Sequence, residues 1–279
     1  MKIGLMDIDG HGFPNIALMK VSTYHNSDQV EMATIGKYDK VYVSKIFNFS
    51  EDLNSSLIES NEWIKGGTGY DVKSKLPTEI DICQPDYSIY PMYNFSVQFF
   101  SRGCIRNCSF CVVREKEGFI KTVEPMNLNP NGKYIEVLDN NFFANPEWKT
   151  AIDYLLKAKQ PVNLHGVDVR IMNEEQAFYS NQLKHKKQIH IAWDFPNMDL
   201  LPKLKEVTKY IKPYKLMCYV LIGFDSTPEQ DLYRVEKLRE LNIDPFVMPF
   251  KKSDPYQRRF SRWVNHKAIF KTVKFADYR

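Results

Sequence analysis

SRGCIRNCSFCVVREKEG, residues 101–118, governs how the rest of the chain is read. It places Cys104, Cys108 and Cys111 within eight residues at the spacing C-x3-C-x2-C. Thiolates are the usual protein ligands of iron–sulfur clusters, and three so close together suit three irons of a four-iron cluster. No fourth cysteine stands at a matching interval, which leaves one iron open to a small molecule. Structural zinc sites want four ligands in paired C-x2-C or C…H elements, and no second pair lies nearby. The spacing also differs from the C-x2-C-x2-C-x3-C run of bacterial ferredoxins.

Working outward, FSVQFF at 95–100 is aromatic and β-branched and reads as a strand leading straight into the cysteine loop. Five further strand candidates follow: YIEVL (134–138), PVNLHGV (161–167), QIHIAW (188–193), KLMCYVLIG (215–223) and PFVMPF (245–250). Helical stretches separate them, among them TPEQDLYRVEKLRELN, with Thr227 as N-cap, Pro228 in the first turn and Glu229 and Asp231 near the positive end of the dipole. Strands alternating with such helices predict parallel β/α units. The expected fold class is α/β, with six strands over 95–250.

Upstream, KIGLMDI reads as a buried strand ending in a turn at Asp9–Gly12, and Pro14 opens a helix. QVEMAT and KVYVSKIF alternate like strands with Val41, Val43 and Ile46 inward, and a short strand runs into Gly66-Gly67. The order β-α-β-β-(α)-β predicts a small Rossmann-like domain over 1–75. Residues 76–94 lie in a stretch with three prolines and no sustained period, and read as a linker. Residues 251–279 form an extension with nine Lys or Arg and two Asp, so the net charge of +4 is concentrated there. Its cations alternate with Tyr256, Phe260, Trp263, Phe270, Phe275 and Tyr278, a pattern that serves either nucleic-acid binding or an amphipathic helix packed on the body of the protein.

At 43% hydrophobic and 26% charged residues the composition is that of a globular protein. No apolar run is long enough to span a bilayer, and Asp7 and Asp9 stand where a secretory signal carries basic residues. Three clustered cysteines with Cys83 and Cys218 apart do not make a disulfide framework. A reduced, cytoplasmic protein is expected.

The cysteine spacing, with Phe110 just before Cys111 and the loop placed after a strand and ahead of repeated β/α units, resembles the radical S-adenosylmethionine (SAM) superfamily. The resemblance implies a partial, six-stranded β/α barrel and a 4Fe-4S cluster on Cys104, Cys108 and Cys111. It further implies SAM on the open iron, cleaved reductively to a radical that abstracts hydrogen from a substrate it does not identify. A reducing partner of flavodoxin or ferredoxin type goes with that chemistry. By the same resemblance, Phe110 lies against the cofactor, and Asp139 and Asn140 of LDNN occupy the place where the SAM amine is bound, in a segment that lacks the usual glycine pair. Asp168 and Arg170 of HGVDVR suit the ribose hydroxyls and the SAM carboxylate, or else pair with each other. Asp194 of AWDFP is a ligand group or a turn residue. Gly223 of VLIGF permits close approach of the adenine ring, or a tight turn.

The first 75 residues resemble a shortened cobalamin-binding domain, with Asp9, Gly10 and His11 fitting the start of D-x-H-x-x-G. Pro14 replaces the glycine and the segment is short for a corrin, so cobalamin is not expected. Two other functions compete with the radical SAM reading: a cobalamin-dependent radical methylase, and a non-catalytic, metal-stabilised nucleic-acid binder using the basic tail. His165 and His190 read as core histidines.

Overall fold

The computed structural model describes residues 1–10, 12–52 and 55–278. The chain divides into two compact units: the first comprises 1–96, 106–118 and 125–132, the second 97–105, 119–124 and 133–279.

In the first unit, β1 (Lys2–Asp7) is followed by α1 (Ile16–Tyr24), β2 (Gln29–Met32), β3 (Gly36–Ser44), β4 (Ile58–Gly66) and the short α2 (Thr78–Asp81). The four strands form one parallel sheet in the order β2-β1-β3-β4. Ile3 and Leu5 meet Leu18 and Val21 of α1 on one face, while Met6, Ile8, Val41 and Val43 pack together in a second cluster. The helix starts where Asn15 caps it, its side chain accepting from the Leu18 N–H at 3.3 Å. No helix joins β3 to β4 among the described residues. Ile46, expected to face inward, lies beyond the end of β3 and is 44% exposed.

Residues 76–94 are not a free linker. Ile80 joins the Ile3–Leu18 cluster, and Tyr87 and Tyr90 pack on Met19. The Tyr90 hydroxyl donates to Asp7 at 2.6 Å, and Ser22 donates to Asp86 at 2.7 Å. Single apolar residues separated by prolines thus anchor this stretch to α1 without any periodic pattern.

The next elements are β5 (Ser96–Gln98), β6 (Ser101–Arg102), α3 (Val113–Glu117), β7 (Lys121–Thr122) and β8 (Ile135–Val137). After these come α4 (Trp148–Ala158), β9 (Val162–Leu164), α5 (Glu174–Gln182), β10 (Ile189–Ala192), α6 (Leu201–Val207), β11 (Leu216–Ile222), α7 (Pro228–Glu240) and β12 (Asp244–Pro249), closed by α8 (Pro255–Asn265) and α9 (Lys267–Thr272). All six expected strands are present, arranged as two three-stranded sheets, β5-β8-β9 and β10-β11-β12. Parallel pairing runs from β8 to β9 and across β10, β11 and β12, and a parallel bridge, Val167–Ile191, links the segment after β9 to β10. The architecture is mixed α/β with parallel sheets. Full burial of Ile135, Val162, Leu164, Ile189, Cys218 and Val220 explains why these strands read as continuous apolar runs. Helix α7 begins as the sequence requires, with Thr227 and Gln230 forming a reciprocal capping box behind Pro228.

The basic tail belongs to the second unit's core. Phe260, Trp263 and Phe270 are buried, the Trp263 indole donates to the Val273 carbonyl at 2.9 Å, and the Arg239 guanidinium lies 4.1 Å from the Phe270 ring centre. These three aromatics are spent on packing, as an amphipathic helix seated on the body of the protein requires, while Tyr256, Phe275 and Tyr278 are half-buried. No helix among the described residues is long and apolar enough to cross a membrane.

The candidate cysteine-loop site

Cys104 follows β6 and belongs to the second unit, whereas Cys108 and Cys111 belong to the first. Gly103 takes φ +84°, a value that glycine reaches without strain, so the chain can turn just ahead of Cys104. Cys108 and Cys111 are linked by a turn in which the Cys111 N–H donates to the Cys108 carbonyl at 3.0 Å, and α3 starts two residues later. All five cysteines are thiols; Cys104 and Cys108 are half-buried and Cys111 is exposed. Cys218 is fully buried in β11, where burial pushes its thiol far up, so it stays an inert core residue. Phe110, half-buried, belongs with Cys108 and Cys111.

The second unit assembles polar groups beside Cys104. The segment after β8, Asp139–Asn141, divides its labour. Asp139 is 2% exposed and accepts from the Phe100 N–H at 2.9 Å and the Ser101 hydroxyl at 2.5 Å, so its carboxylate braces the strand end that leads into the cysteine loop. Asn141, not singled out from sequence, is the residue that reaches the thiol. Its amide donates toward Cys104 Sγ at 3.9 Å and to Asp168 Oδ2 at 3.4 Å, while its Oδ1 is buried without a partner. Asn140 between them is half-buried.

This arrangement depends on Gly166. A Cβ at that position would lie 1.8 Å from the Asp139 carbonyl oxygen, and the Phe142 N–H donates to the Gly166 carbonyl at 2.8 Å. The glycine lets the ends of β8 and β9 come together closely enough to seat Asn141.

Asp168 and Arg170 pair with each other in a fork: Nε to Oδ1 at 2.6 Å and Nη2 to Oδ2 at 2.9 Å. The guanidinium also lies 5.6 Å from the Phe195 ring centre. Asp194 is held at the end of β10, accepting from the Leu221 N–H at 3.2 Å, and burial raises its carboxyl above the ordinary range. Arg170, Asp194 and Phe195 border a space of about 10 Å³, the size of one water. Gly223 has φ +72°, and what approaches it closely is the Gln257 side chain, 2.1 Å from where a Cβ would stand. In this structure its glycine therefore serves a turn and the seating of α8. His11, the expected cobalt-ligand position, lies outside the described residues. Its neighbour Asp9 accepts from the Ile46 and Phe47 N–H groups and from Ser50, closing the loop after β3.

Among the described residues, no group of three or more His, Cys, Asp or Glu is gathered so as to hold a metal ion. The donor set still suits an iron–sulfur cluster: three thiols on one loop lie outside the sealed core, and one is already within reach of an amide N–H. Compared with known proteins, the chain matches no protein-family model and no curated protein.

Asp139 gives this region a pH signature. Burial pushes its carboxyl up to about 6, outweighing the hydrogen bonds from Ser101 and Phe100. An unfolded Asp titrates near 4, so the folded protein binds a proton more tightly. The associated stability is fully present below about pH 4 and is lost as pH rises through about 6, by at most about 3 kcal/mol. Asn at this position does not titrate. Urea midpoints of wild type and Asp139→Asn, measured at pH 4.5 and 7, should show wild type losing ground to the variant at the higher pH. An equal difference at both pH values contradicts the assignment.

Proposed function

We propose that the protein is a radical SAM enzyme, with Cys104, Cys108 and Cys111 as ligands to one 4Fe-4S cluster. The observation that carries this reading is the C-x3-C-x2-C loop directly after a strand, with the Asn141 amide reaching the first of its thiols. Bound there, the cluster would supply the electron that cleaves SAM to a 5′-deoxyadenosyl radical, which abstracts hydrogen from substrate. In the same reading, the six strands β5, β8, β9, β10, β11 and β12 are those of an incomplete β/α barrel, whose ligands belong at the C-terminal strand ends. Asp139, Asn141, Asp168 and Asp194 follow β8, β9 and β10 at those ends.

The chain's own groups have separable roles. The Asn141 amide aims a donor at Cys104 Sγ. Its orphaned Oδ1 is suited to an ammonium such as the SAM amine, because a buried acceptor without a donor costs about 1–3 kcal/mol. Arg170, oriented by Asp168, supplies a guanidinium of the fork geometry that suits a carboxylate. A flavodoxin- or ferredoxin-like protein in a reducing compartment would deliver the electron.

Anaerobic reconstitution with iron and sulfide should yield a brown protein containing about four irons per chain, as three thiolates and one open iron require. With dithionite and SAM it should form 5′-deoxyadenosine, and Cys108→Ala should reduce that product to background. Equal yields from the two proteins, or one zinc with no iron or sulfide, defeat the reading. Retention of hydroxocobalamin by the reconstituted protein would favour a radical methylase instead.

A further inference from the structure

The second unit carries a cleft of about 660 Å³ that the cysteine loop does not touch. Its walls come from the segments entering β10 and β11, with Lys184, Lys186, Lys187 and Gln188 on one side, Lys215 on the other and His190 also lining it. The sequence KHKKQ concentrates three of these cations within four positions. Lys215 is tied to Asn181 at 2.9 Å and Lys186 lies over the Tyr134 ring, while Lys184 and Lys187 take part in no ion pair among the described residues. The nearby acid, Asp244, is already neutralised by Lys267 at 2.6 Å. The cleft therefore has an unbalanced positive charge.

His190 is held from behind by a chain of polar side chains. Its Nδ1 lies 3.2 Å from His165 Nδ1, and His165 Nε2 lies 2.5 Å from Glu136 Oε2, which also accepts from Asn163 at 2.9 Å. Burial pushes the Glu136 carboxyl up, but the hydrogen bond and charge of His165 together with Asn163 outweigh it and leave Glu136 below the usual range. Glu136 orients the His165 ring, and His165 in turn fixes the His190 ring through the contact between their Nδ1 atoms. Burial, with the charges of His165 and Lys187, holds His190 down to about 4, so the ring stays neutral at physiological pH. Beside it, Asn163 is 2% exposed and its Oδ1 has no hydrogen-bond partner.

We infer that this cleft is a second ligand site, taking a phosphate-bearing small molecule whose phosphate meets the lysines and whose polar group hydrogen-bonds to the His190 imidazole. Its volume falls in the range of small-molecule sites, roughly 300–1,000 Å³. The exposed lysines supply charge, and the fixed imidazole supplies orientation. A long single strand of nucleic acid fits less well, because the cations line a concavity. The phosphate could still come from a free nucleotide or from an RNA end, and the test separates the two.

The full chain labelled with 15N-histidine is titrated at 150 mM salt with inorganic pyrophosphate, with AMP and with a twelve-residue oligouridylate. Saturable binding of pyrophosphate and AMP, with the His190 ring-nitrogen resonances moving on AMP addition, is the expected result. The Lys184→Gln/Lys187→Gln double variant should weaken both at least tenfold with an unchanged melting temperature, since both side chains are exposed. Binding of the oligonucleotide without AMP or pyrophosphate overturns the inference in favour of a polyanion surface. Absence of saturable binding, or binding indifferent to the two lysines, overturns it outright. None of these readouts involves SAM cleavage, so the result stands or falls separately from the cysteine-loop reading.

Discussion

Asp231→Ala is expected to destabilise the protein by about 3–5 kcal/mol, because it leaves the Arg234 guanidinium buried without its counter-charge. Both side chains are fully buried, and Arg234 Nη2 reaches Asp231 Oδ1 at 2.6 Å. Burial lowers the guanidinium's affinity for its proton and raises that of the Asp231 carboxyl, so each charge depends on the other. The pair also ties elements together. Arg234 Nη1 donates to the Trp193 carbonyl at 2.8 Å and to the Asp194 carbonyl at 3.2 Å, fastening α7 to the end of β10. On the other side, the Tyr256 hydroxyl donates to Asp231 Oδ2 at 3.2 Å and brings in α8. A loss of this size lowers the melting temperature of a domain of this length by roughly 10 °C. Calorimetry of Asp231→Ala against the double variant Asp231→Leu/Arg234→Met tests the cause. The double variant should recover much of the loss, since removing both charges leaves no uncompensated ion. If it melts no higher than the single variant, the damage lies in packing rather than in the orphaned charge.

Asp231 also marks a limit of what can be read from sequence. Its place in the first turn of α7 marks it in the sequence as an acid near the positive end of the helix dipole, with nothing to single out Arg234 as its partner. That both are sealed inside depends on Trp193 and Tyr256, distant in sequence, folding over them. The six strands of the second half were legible because most of their positions are apolar and buried, with Glu136, Asn163 and His190 among the polar exceptions. The start of α7 was legible because Thr227, Pro228 and Gln230 act locally. Residues 76–94 were not, since Ile80, Tyr87 and Tyr90 are buried by α1 and not by any repeat of their own.

The candidate site divides along the same line. The cysteine loop carries its chemistry in residue type and spacing, both local properties. The strand-end residues carry theirs in geometry. Asp139 and Asn141 are two residues apart in a polar run, and only the path of the chain decides that the first braces Ser101 while the second meets Cys104. Asp168 and Arg170 could be read either as a pair or as two ligands, and the structure pairs them. Gly223 reads as a place where a flat ring could approach, yet its space is taken by Gln257.

Gly166→Ala should therefore damage fold and site together. The added methyl would stand 1.8 Å from the Asp139 carbonyl oxygen and 2.9 Å from the Asn140 carbonyl carbon, both backbone atoms that no rotamer change can move aside. Overpacking against side chains costs about 1–3 kcal/mol, and against fixed backbone the upper end or more is expected. Relief requires the 139–141 segment to withdraw from β9, which breaks the bond from Phe142 N–H to the Gly166 carbonyl and carries Asn141 away from Cys104. The expected result is a melting temperature lowered by several degrees, together with reduced 5′-deoxyadenosine formation at temperatures where the variant is still folded. Gly66→Ala is the control: the nearest atom to its Cβ would be Ser74 Oγ at 3.6 Å, an ordinary contact, and it should be close to neutral. An intermediate case, Asn141→Ala, keeps the backbone in place and removes only the amide. It should melt near wild type, because deleting the side chain also removes the orphaned Oδ1. If Asn141→Ala cleaves SAM as well as wild type while Gly166→Ala does not, the glycine matters through the backbone alone, and the amide has no part in holding the cofactor.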